Sequence, residues 1–125
     1  MEQPLELVLR FCAAWSDLDL DHLISFFTED AVYHNMPLEP VTGVEAIRAT
    51  ISGFTGGVDK VVFEVLHAAA AGEVVLTERV DHFHLPGRVI SLPVMGTFEV
   101  AGGSIRAWRD YFDMNQFMSQ MAPSS

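Results

Sequence analysis

The hydrophobic pattern of this chain changes along its length from a mainly helical period to β-type runs separated by strong turn signals. In the first third, apolar residues recur mostly at spacings of three and four, which places them on one face of a helix. After residue 60 the chain contains long β-branched and aromatic runs, interrupted by Ala71-Gly72, Pro86-Gly87 and Gly102-Gly103. Helices followed by strands predict an α+β fold, with helices packed on one face of a curved antiparallel sheet that can curl around a pocket.

Three helices are predicted in the first part of the chain. The acidic stretch 16–21 separates the first two and offers N-cap residues. The third begins near Thr42, where Thr42 and Glu45 match a capping box, and it ends at Gly56-Gly57. The three apolar stripes are Leu5, Val8, Leu9, Cys12 and Trp15; Leu20, Leu23, Ile24 and Phe27; and Val44, Ile47, Ile51 and Phe54.

The later part of the chain is predicted to form four strands, at 61–70, 74–85, 89–100 and 105–113, followed by a short helix at 114–121. Pro93 lies inside one strand and therefore marks a sheet edge or a bulge. An earlier strand contains Tyr33 and Asn35, which share one face, with His34 on the other.

Composition narrows the class of protein. The 125 residues fit one domain, 1–125, and because half of them are apolar and only 19% are charged, the chain is not of the disordered type. A net charge of −10 argues against nucleic acid and anionic membranes as partners. Cys12 is the single cysteine, no apolar run is long enough to span a bilayer, and the N-terminus lacks a basic leader. A cytoplasmic protein with one core is expected.

Polar residues interrupt the apolar pattern of the strands. On strand 74–85, Arg79 and Asp81 share a face with Val75, Thr77 and Phe83, but both faces mix polar and apolar residues. Alternation alone therefore leaves the inward face open. One assignment would make a compact polar cluster of Tyr33, Asn35, Arg79, Asp81 and Asp110, surrounded by apolar walls of Phe83, Leu92, Val94, Trp108 and Phe112.

Such a cluster would supply an acid and a base in one cavity. Two carboxylates beside one guanidinium carry a net charge near −1 if both are ionised, and an apolar pocket makes that charge costly. One carboxyl group should then keep its proton at neutral pH, while the other acts as a base. Tyr33 and Asn35 could hold a water molecule by hydrogen bonds.

Simpler interpretations remain open at this point. Arg79 and Asp81 could form a surface ion pair, Asp110 could be a solvated charge, and Tyr33 could be a core aromatic residue. His82 and His84 share a face, but no third ligand lies at a convincing spacing, so no metal site is predicted. No cofactor-binding motif is found either.

Three motifs nevertheless resemble one family in order and spacing. They are Tyr-His-Asn-Met-Pro at 33–37, Thr-Glu-Arg-Val-Asp at 77–81 and Trp-Arg-Asp-Tyr-Phe-Asp at 108–113. Together they resemble the limonene-1,2-epoxide hydrolases over nearly the whole chain. The resemblance implies a cone-shaped α+β fold of the NTF2-like, SnoaL-like or cystatin-like kind, a homodimer, and no metal or organic cofactor.

The resemblance also implies a role for each of five residues. Asp110 would be the general base that deprotonates water, and Asp81 the general acid that protonates the epoxide oxygen. Arg79 would bridge and orient the two carboxylates, while Tyr33 and Asn35 would position the water. The substrate would be a small, apolar, cyclic or terpene-like epoxide, and the product a vicinal diol formed without a covalent enzyme ester.

Two other functions fit the same cone. One is an isomerase or cyclase in which an aspartate removes a proton and a tyrosine or protonated aspartate stabilises an enolate. The arginine between two aspartates disfavours it, since a positive charge does not help to keep a carboxyl group neutral. The other is a protein that binds an apolar ligand without chemistry.

Overall fold

The computed structural model describes residues 2–122, so Met1 and residues 123–125 of the predicted domain lie outside it. The helices are α1 (Pro4–Ala14), α2 (Leu20–Ile24), α3 (Val44–Thr55) and α4 (Met114–Met121), with a 3₁₀ turn at Trp15–Asp17. The strands are β1 (Phe27–Asn35), β2 (Val41–Thr42), β3 (Lys60–Ala71), β4 (Val74–Leu85), β5 (Arg88–Ala101) and β6 (Ser104–Tyr111). The predicted α+β class is confirmed.

All six strands form one sheet in the order β2-β1-β6-β5-β4-β3. Within residues 2–122, only β1 and β6 run parallel, and the other neighbouring strands are antiparallel. The turns predicted at Gly72, Pro86-Gly87 and Gly102-Gly103 connect the β3–β4, β4–β5 and β5–β6 hairpins. Pro93 pairs with β4 on one side, whereas β6 pairs with β5 only from Met95 onward. Pro93, which has no N–H to donate, therefore lies where β5 is an edge of the sheet, as predicted.

The core fills the space between the helices and the inner face of the sheet. Helix α1 packs on β3 and β4, whereas α3 packs on β1. Phe11 meets five aromatic rings edge-on there, among them Trp108 at a centroid distance of 5.1 Å. Such edge-to-face contacts add to the free energy gained by burial. This core supports the C-terminal ends of β1 and β6 and the central part of β4, where the polar residues lie.

Local predictions for the helices were partly wrong. In α1, Leu7 and Phe11 are buried and Leu9 is exposed, because the helix presents a face rotated from the predicted one. Phe27 begins β1 instead of extending α2. The capping box at Thr42 is absent: Gly43 is the N-cap of α3, at a φ of 94° that favours glycine, and no side chain caps it.

The last strand also differs from simple alternation. The register of β5 and β6 shifts between Glu99 and Val100, which leaves Arg106 as an extra residue in β6. Because a bulge reverses the inward and outward positions beyond it, Ile105 and Trp108 are both buried. The strand ends at Tyr111, two residues earlier than predicted, and Asp113 caps α4 by accepting the N–H of Gln116 at 3.2 Å.

Candidate active site

A cavity of about 310 Å³ lies between the sheet, the end of α3 and α4. Its surface is mainly apolar, with Tyr33, Asn35, Asp81 and Asp110 as the polar groups that line it. The apolar lining comes from the strands, the end of α3 and α4, and it includes Leu38, Phe54, Val58, Phe63, Phe83, Leu85, Ile90, Leu92, Val94, Phe112, Phe117 and Met121. A concave apolar site with a few convergent polar groups is typical of a small-molecule pocket.

Arg79 joins the two carboxylates beside this cavity. Its Nε and Nη2 donate to Asp81 at 2.9 and 2.8 Å, and its Nη1 and Nη2 donate to Asp110 at 3.2 and 2.9 Å. The guanidinium is fully buried, and the two carboxylates are only 5% exposed. Burial alone would lower the pKa of Arg79, but the two neighbouring carboxylates raise it by more, so the pKa lies well above its ordinary value and the side chain stays charged.

The two carboxylates lie in different environments. Asp110 accepts a third hydrogen bond, at 2.7 Å, from the indole Nε1 of Trp108. Donors that point at a carboxylate stabilise its ionised form. Burial raises the pKa of Asp81 to about 6, against the opposing influence of Arg79. The pair is therefore asymmetric: Asp81 has a raised pKa, and Asp110 has one more hydrogen-bond donor than Asp81.

The backbone of β5 allows this cluster to form. Gly96 pairs with Thr77 on β4 and with Asp110 on β6. A Cβ atom at Gly96 would lie 2.3 Å from Nη1 of Arg79 and 2.7 Å from Oδ1 of Asp110, so only glycine leaves room for the ion pair. The hydroxyl of Thr77 accepts from Nη1 of Arg79 at 3.1 Å, and the guanidinium lies 4.7 Å from the centre of the Phe63 ring.

The polar end of β1 completes the cluster. Since β1 runs parallel to β6, Asn35 lies beside Asp110 and Tyr33 beside Trp108. The Tyr33 hydroxyl donates to Oδ1 of Asn35 at 3.2 Å, while its ring stacks on Trp108 at 4.2 Å. Burial raises the pKa of Tyr33, so the hydroxyl keeps its proton. Both side chains face the cavity next to Asp110.

The histidines lie apart from this cluster. His82 is held on the outer face of the sheet between the Ser91 hydroxyl at 2.7 Å and Glu64 at 2.9 Å. Within residues 2–122 no three His, Cys, Asp or Glu side chains are grouped so that they could hold a metal ion. Cys12 is buried in the core, which raises the pKa of its thiol to about 12.

Comparison with known proteins assigns the family. The sequence model of one protein family, described as the limonene-1,2-epoxide hydrolase catalytic domain, matches residues 2–123. The chain belongs to the limonene-1,2-epoxide hydrolase family. This family member is also 34% identical over 109 residues to epoxide hydrolase EphG from Mycobacterium tuberculosis, a match that covers 86% of the chain and 71% of its relative.

Solved structures agree with this assignment. An epoxide hydrolase of the limonene-1,2-epoxide hydrolase type from M. tuberculosis superposes with a TM-score of 0.82 at 28% identity, covering 94% of this chain and 87% of the other. A SnoaL-like protein from Shewanella putrefaciens superposes with a TM-score of 0.84 at 21% identity and 97% coverage of both chains, which shows the shared fold. The resemblance predicted from the three motifs is thus confirmed.

The structure brings together the five residues predicted to be catalytic in this hydrolase-family chain: Tyr33, Asn35, Arg79, Asp81 and Asp110. Four of the five predicted wall residues, Phe83, Leu92, Val94 and Phe112, line the cavity. Trp108 was wrongly placed there. It is fully buried in the aromatic core, and its contribution to the site is the hydrogen bond to Asp110.

Several residues of the site were not predicted from the sequence. Gly96 carried a usable signal, because a glycine inside a strand often marks a close approach of other atoms. Phe63 and Leu38 come from distant segments, and nothing in the spacing of the chain places them at the cavity. Phe117 and Met121 reach it only because α4 folds back over β5.

Proposed function

We propose that this member of the epoxide hydrolase family adds water to a cyclic or terpene-like epoxide in one step by general acid–base catalysis, giving a vicinal diol without a cofactor. The observation that supports this most is the buried Arg79, which holds two unequal carboxylates at the wall of one apolar cavity. Acid and base are then present together at neutral pH.

In this mechanism Asp110 is the base. It takes a proton from a water molecule that the Tyr33 hydroxyl and the Asn35 side chain position, and the water oxygen attacks an epoxide carbon. Hydrogen bonds from Arg79 and Trp108 hold the Asp110 carboxylate in a fixed position beside the cavity. A base must lie within hydrogen-bond reach of the proton it removes, and the position of Asn35 beside Asp110 in the sheet supports this role.

Asp81 is the acid. As the carbon–oxygen bond of the ring breaks, its proton passes to the epoxide oxygen, so the product leaves as a neutral diol. Because burial raises the pKa of Asp81 to about 6, a usable fraction of the group remains protonated near neutrality. After turnover Asp110 holds the proton from water and Asp81 is ionised. One proton must therefore move from Asp110 to Asp81, directly or through solvent, before the next cycle.

The walls favour an apolar ring as substrate. Phe83, Leu92, Val94 and Phe112 surround the carboxylates, and a volume of about 310 Å³ is at the small end of ligand pockets. An apolar epoxide loses little hydration when it binds there, because its oxygen is its only polar group. That oxygen would point toward Asp81.

Diol formation from a panel of cyclic, terpene and styrene-type epoxides, assayed without added metal, tests the activity. In ¹⁸O-labelled water a single turnover should place the label in the diol. Unlabelled diol from the first turnover would instead show that an enzyme carboxylate is the nucleophile. Asp110→Asn should abolish turnover, whereas the matched change Asp59→Asn, at an exposed position outside the cavity, should leave it intact.

The same panel separates the other functions. Proton exchange next to a carbonyl without epoxide turnover would indicate an isomerase or cyclase. Tight binding of an apolar ligand that Asp110→Asn does not weaken, with no chemistry, would indicate a binding protein. Retention of full diol formation in Asp110→Asn would show that the assigned base is wrong.

We also propose that the enzyme is a cytoplasmic homodimer. The outer face of the sheet exposes the apolar residues Leu66, Leu76, Met95 and Tyr111, next to the half-buried Val80, and a second copy could cover them. Light scattering should give twice the chain mass, and Leu76→Glu should shift it toward the monomer. A monomer at all concentrations would contradict the proposal. None of the helices in residues 2–122 is long and apolar enough to cross a membrane.

A further inference from the structure

Helix α4 covers one side of the cavity without being part of the core. No side chain of its eight residues is buried, and its contacts are chiefly with β5. Its Phe117 and Met121 nevertheless line the cavity, as do Leu85 and Ile90 of the β4–β5 hairpin. A helix of this length is not stable by itself, so its position depends on the few interactions that attach it to the sheet.

The first attachment is the side chain of Gln120. Beyond the end of β6, strand β5 has an unpaired edge at Ser91. The Gln120 carboxamide occupies that edge: its Oε1 accepts the Ser91 N–H at 2.9 Å, and its Nε2 donates to the Ser91 carbonyl at 2.8 Å. One side chain thus replaces the hydrogen bonds of a neighbouring strand.

The second attachment is Arg88, at the start of β5. Its Nη1 donates to the carbonyl oxygens of Gln120, Met121 and Ala122 at 2.9, 3.3 and 3.3 Å. A cation at this point satisfies carbonyl groups that have no partner within the helix, and it interacts favourably with the helix dipole. Both attachments therefore hold the C-terminal end of α4.

We infer that α4 is a lid on the substrate cavity and that Gln120 is the positioning residue that keeps it closed. Gln120 precedes Met121 and follows Phe117 by three positions, so its two bonds to Ser91 fix both apolar side chains against the cavity. Release of these bonds frees the end of the helix that carries them, while Asp113 still caps the other end. Opening at Gln120 then admits the apolar substrate and lets the diol leave.

The lid rests on the proposed function only for the identity of the substrate, so its test uses a ligand that needs no catalysis. Gln120→Met keeps the size of the side chain and removes both hydrogen bonds to Ser91, together with the bond from Nε2 to the Gln116 carbonyl at 3.2 Å. The matched control is Gln116→Met on the same helix, where the native residue contributes only its backbone to the hydrogen bonds of this region. Arg88→Met, which removes the second attachment, gives an independent variant.

Two measurements on the full chain test whether α4 acts as a lid. Hydrogen exchange of the amides in 114–122 should speed up by about ten- to thirtyfold in Gln120→Met, as expected from the loss of the two hydrogen bonds that attach the helix to Ser91, and should not change in Gln116→Met. Stopped-flow release of the neutral apolar dye N-phenyl-1-naphthylamine should accelerate by a similar factor. Arg88→Met should change both rates in the same direction.

Faster exchange with unchanged dye release would show that Gln120 only stabilises α4, and would overturn the lid. The lid proposal would also be overturned by unchanged hydrogen exchange in Gln120→Met and Arg88→Met, or by failure of the dye to bind the native protein. With an active epoxide, Gln120→Met should raise KM while kcat stays within about twofold, because the loosened lid speeds release of the bound substrate and leaves the chemical step unchanged. An enzyme inactive on every epoxide, but with these dye kinetics, would refute only the proposed function.

Discussion

Replacement of Gly96 by alanine is the sharpest perturbation of the site, since it adds one methyl group directly beneath the ion pair. The new Cβ would lie 2.3 Å from Nη1 of Arg79, whereas ordinary contacts begin near 3.4 Å. Because β5 is held by β4 and β6 on both sides at this point, the strand cannot easily move away. The guanidinium and the Asp110 carboxylate must yield instead.

The distances give the size of the effect. To restore normal contact, the Arg79 head group must shift by about 1 Å, which breaks its 3.2 Å hydrogen bond to Oδ1 of Asp110. A misplacement of about 1 Å can cost about 10²-fold in rate. Overpacking a close-packed interior costs about 1–3 kcal/mol of unfolding free energy. We expect Gly96→Ala to fold, with kcat/KM for diol formation reduced about a hundredfold.

Chemical denaturation and initial-rate kinetics measure the two effects separately. Gly53→Ala is the control for stability, because a Cβ there meets no atom within 4 Å, and alanine in a helix should add about 0.5–1 kcal/mol. If Gly96→Ala retained kcat/KM within about twofold of the native value, the spacing between Arg79 and Asp110 would not limit the reaction. The mechanism built on that spacing would then be refuted.

Three further predictions concern the ion pair and its support. The pKa of Asp81 is about 6 in the folded chain, against an ordinary value of 3.8, so the folded state binds more protons than the unfolded state between these pH values. The free energy of unfolding should therefore fall as the pH rises across this window, and diol formation should fall above pH 6. A pH titration of Asp81→Asn should show no such decline in stability. Arg79→Lys cannot bridge two carboxylates with paired donors, and we expect a loss of about 3–5 kcal/mol in urea denaturation with no measurable turnover; near-native stability would contradict this. Trp108→Phe preserves the aromatic stack on Tyr33 but removes the donor to Asp110, so kcat/KM should fall about tenfold for a loss of about 1–2 kcal/mol, and an unchanged rate would show that this hydrogen bond does not support the base.

Local signals predicted the elements of this fold well wherever the structure depends on neighbouring residues. The bounds of β4 and α4, the three hairpin turns and the edge position of Pro93 follow from β-branched runs, Gly and Pro pairs and the chemistry of proline. The α3 stripe of Ile47 and Ile51 is buried as expected. These features need only the chain's own periodicity.

Predictions that depended on contacts between distant segments were less successful. The rotation of α1, which buries Leu7 and exposes Leu9, follows from the aromatic cluster that the helix packs against. The bulge at Arg106 follows from the pairing of β6 with β5, and Trp108 lies in the core because Phe11 and Tyr33 surround it. None of these partners is near in sequence.

By itself, the sequence determined the α+β class, the approximate positions of the four later strands and, through three motifs in register, the family and the five residues predicted to act. Only the tertiary structure decided which strand face turns inward, that Gly96 leaves space for Arg79 between two aspartates, and that α4 folds back over the cavity. The physical reason is that secondary structure follows from interactions over a few residues, whereas a buried ion pair exists only when β4, β5 and β6 bring 79, 96 and 110 together.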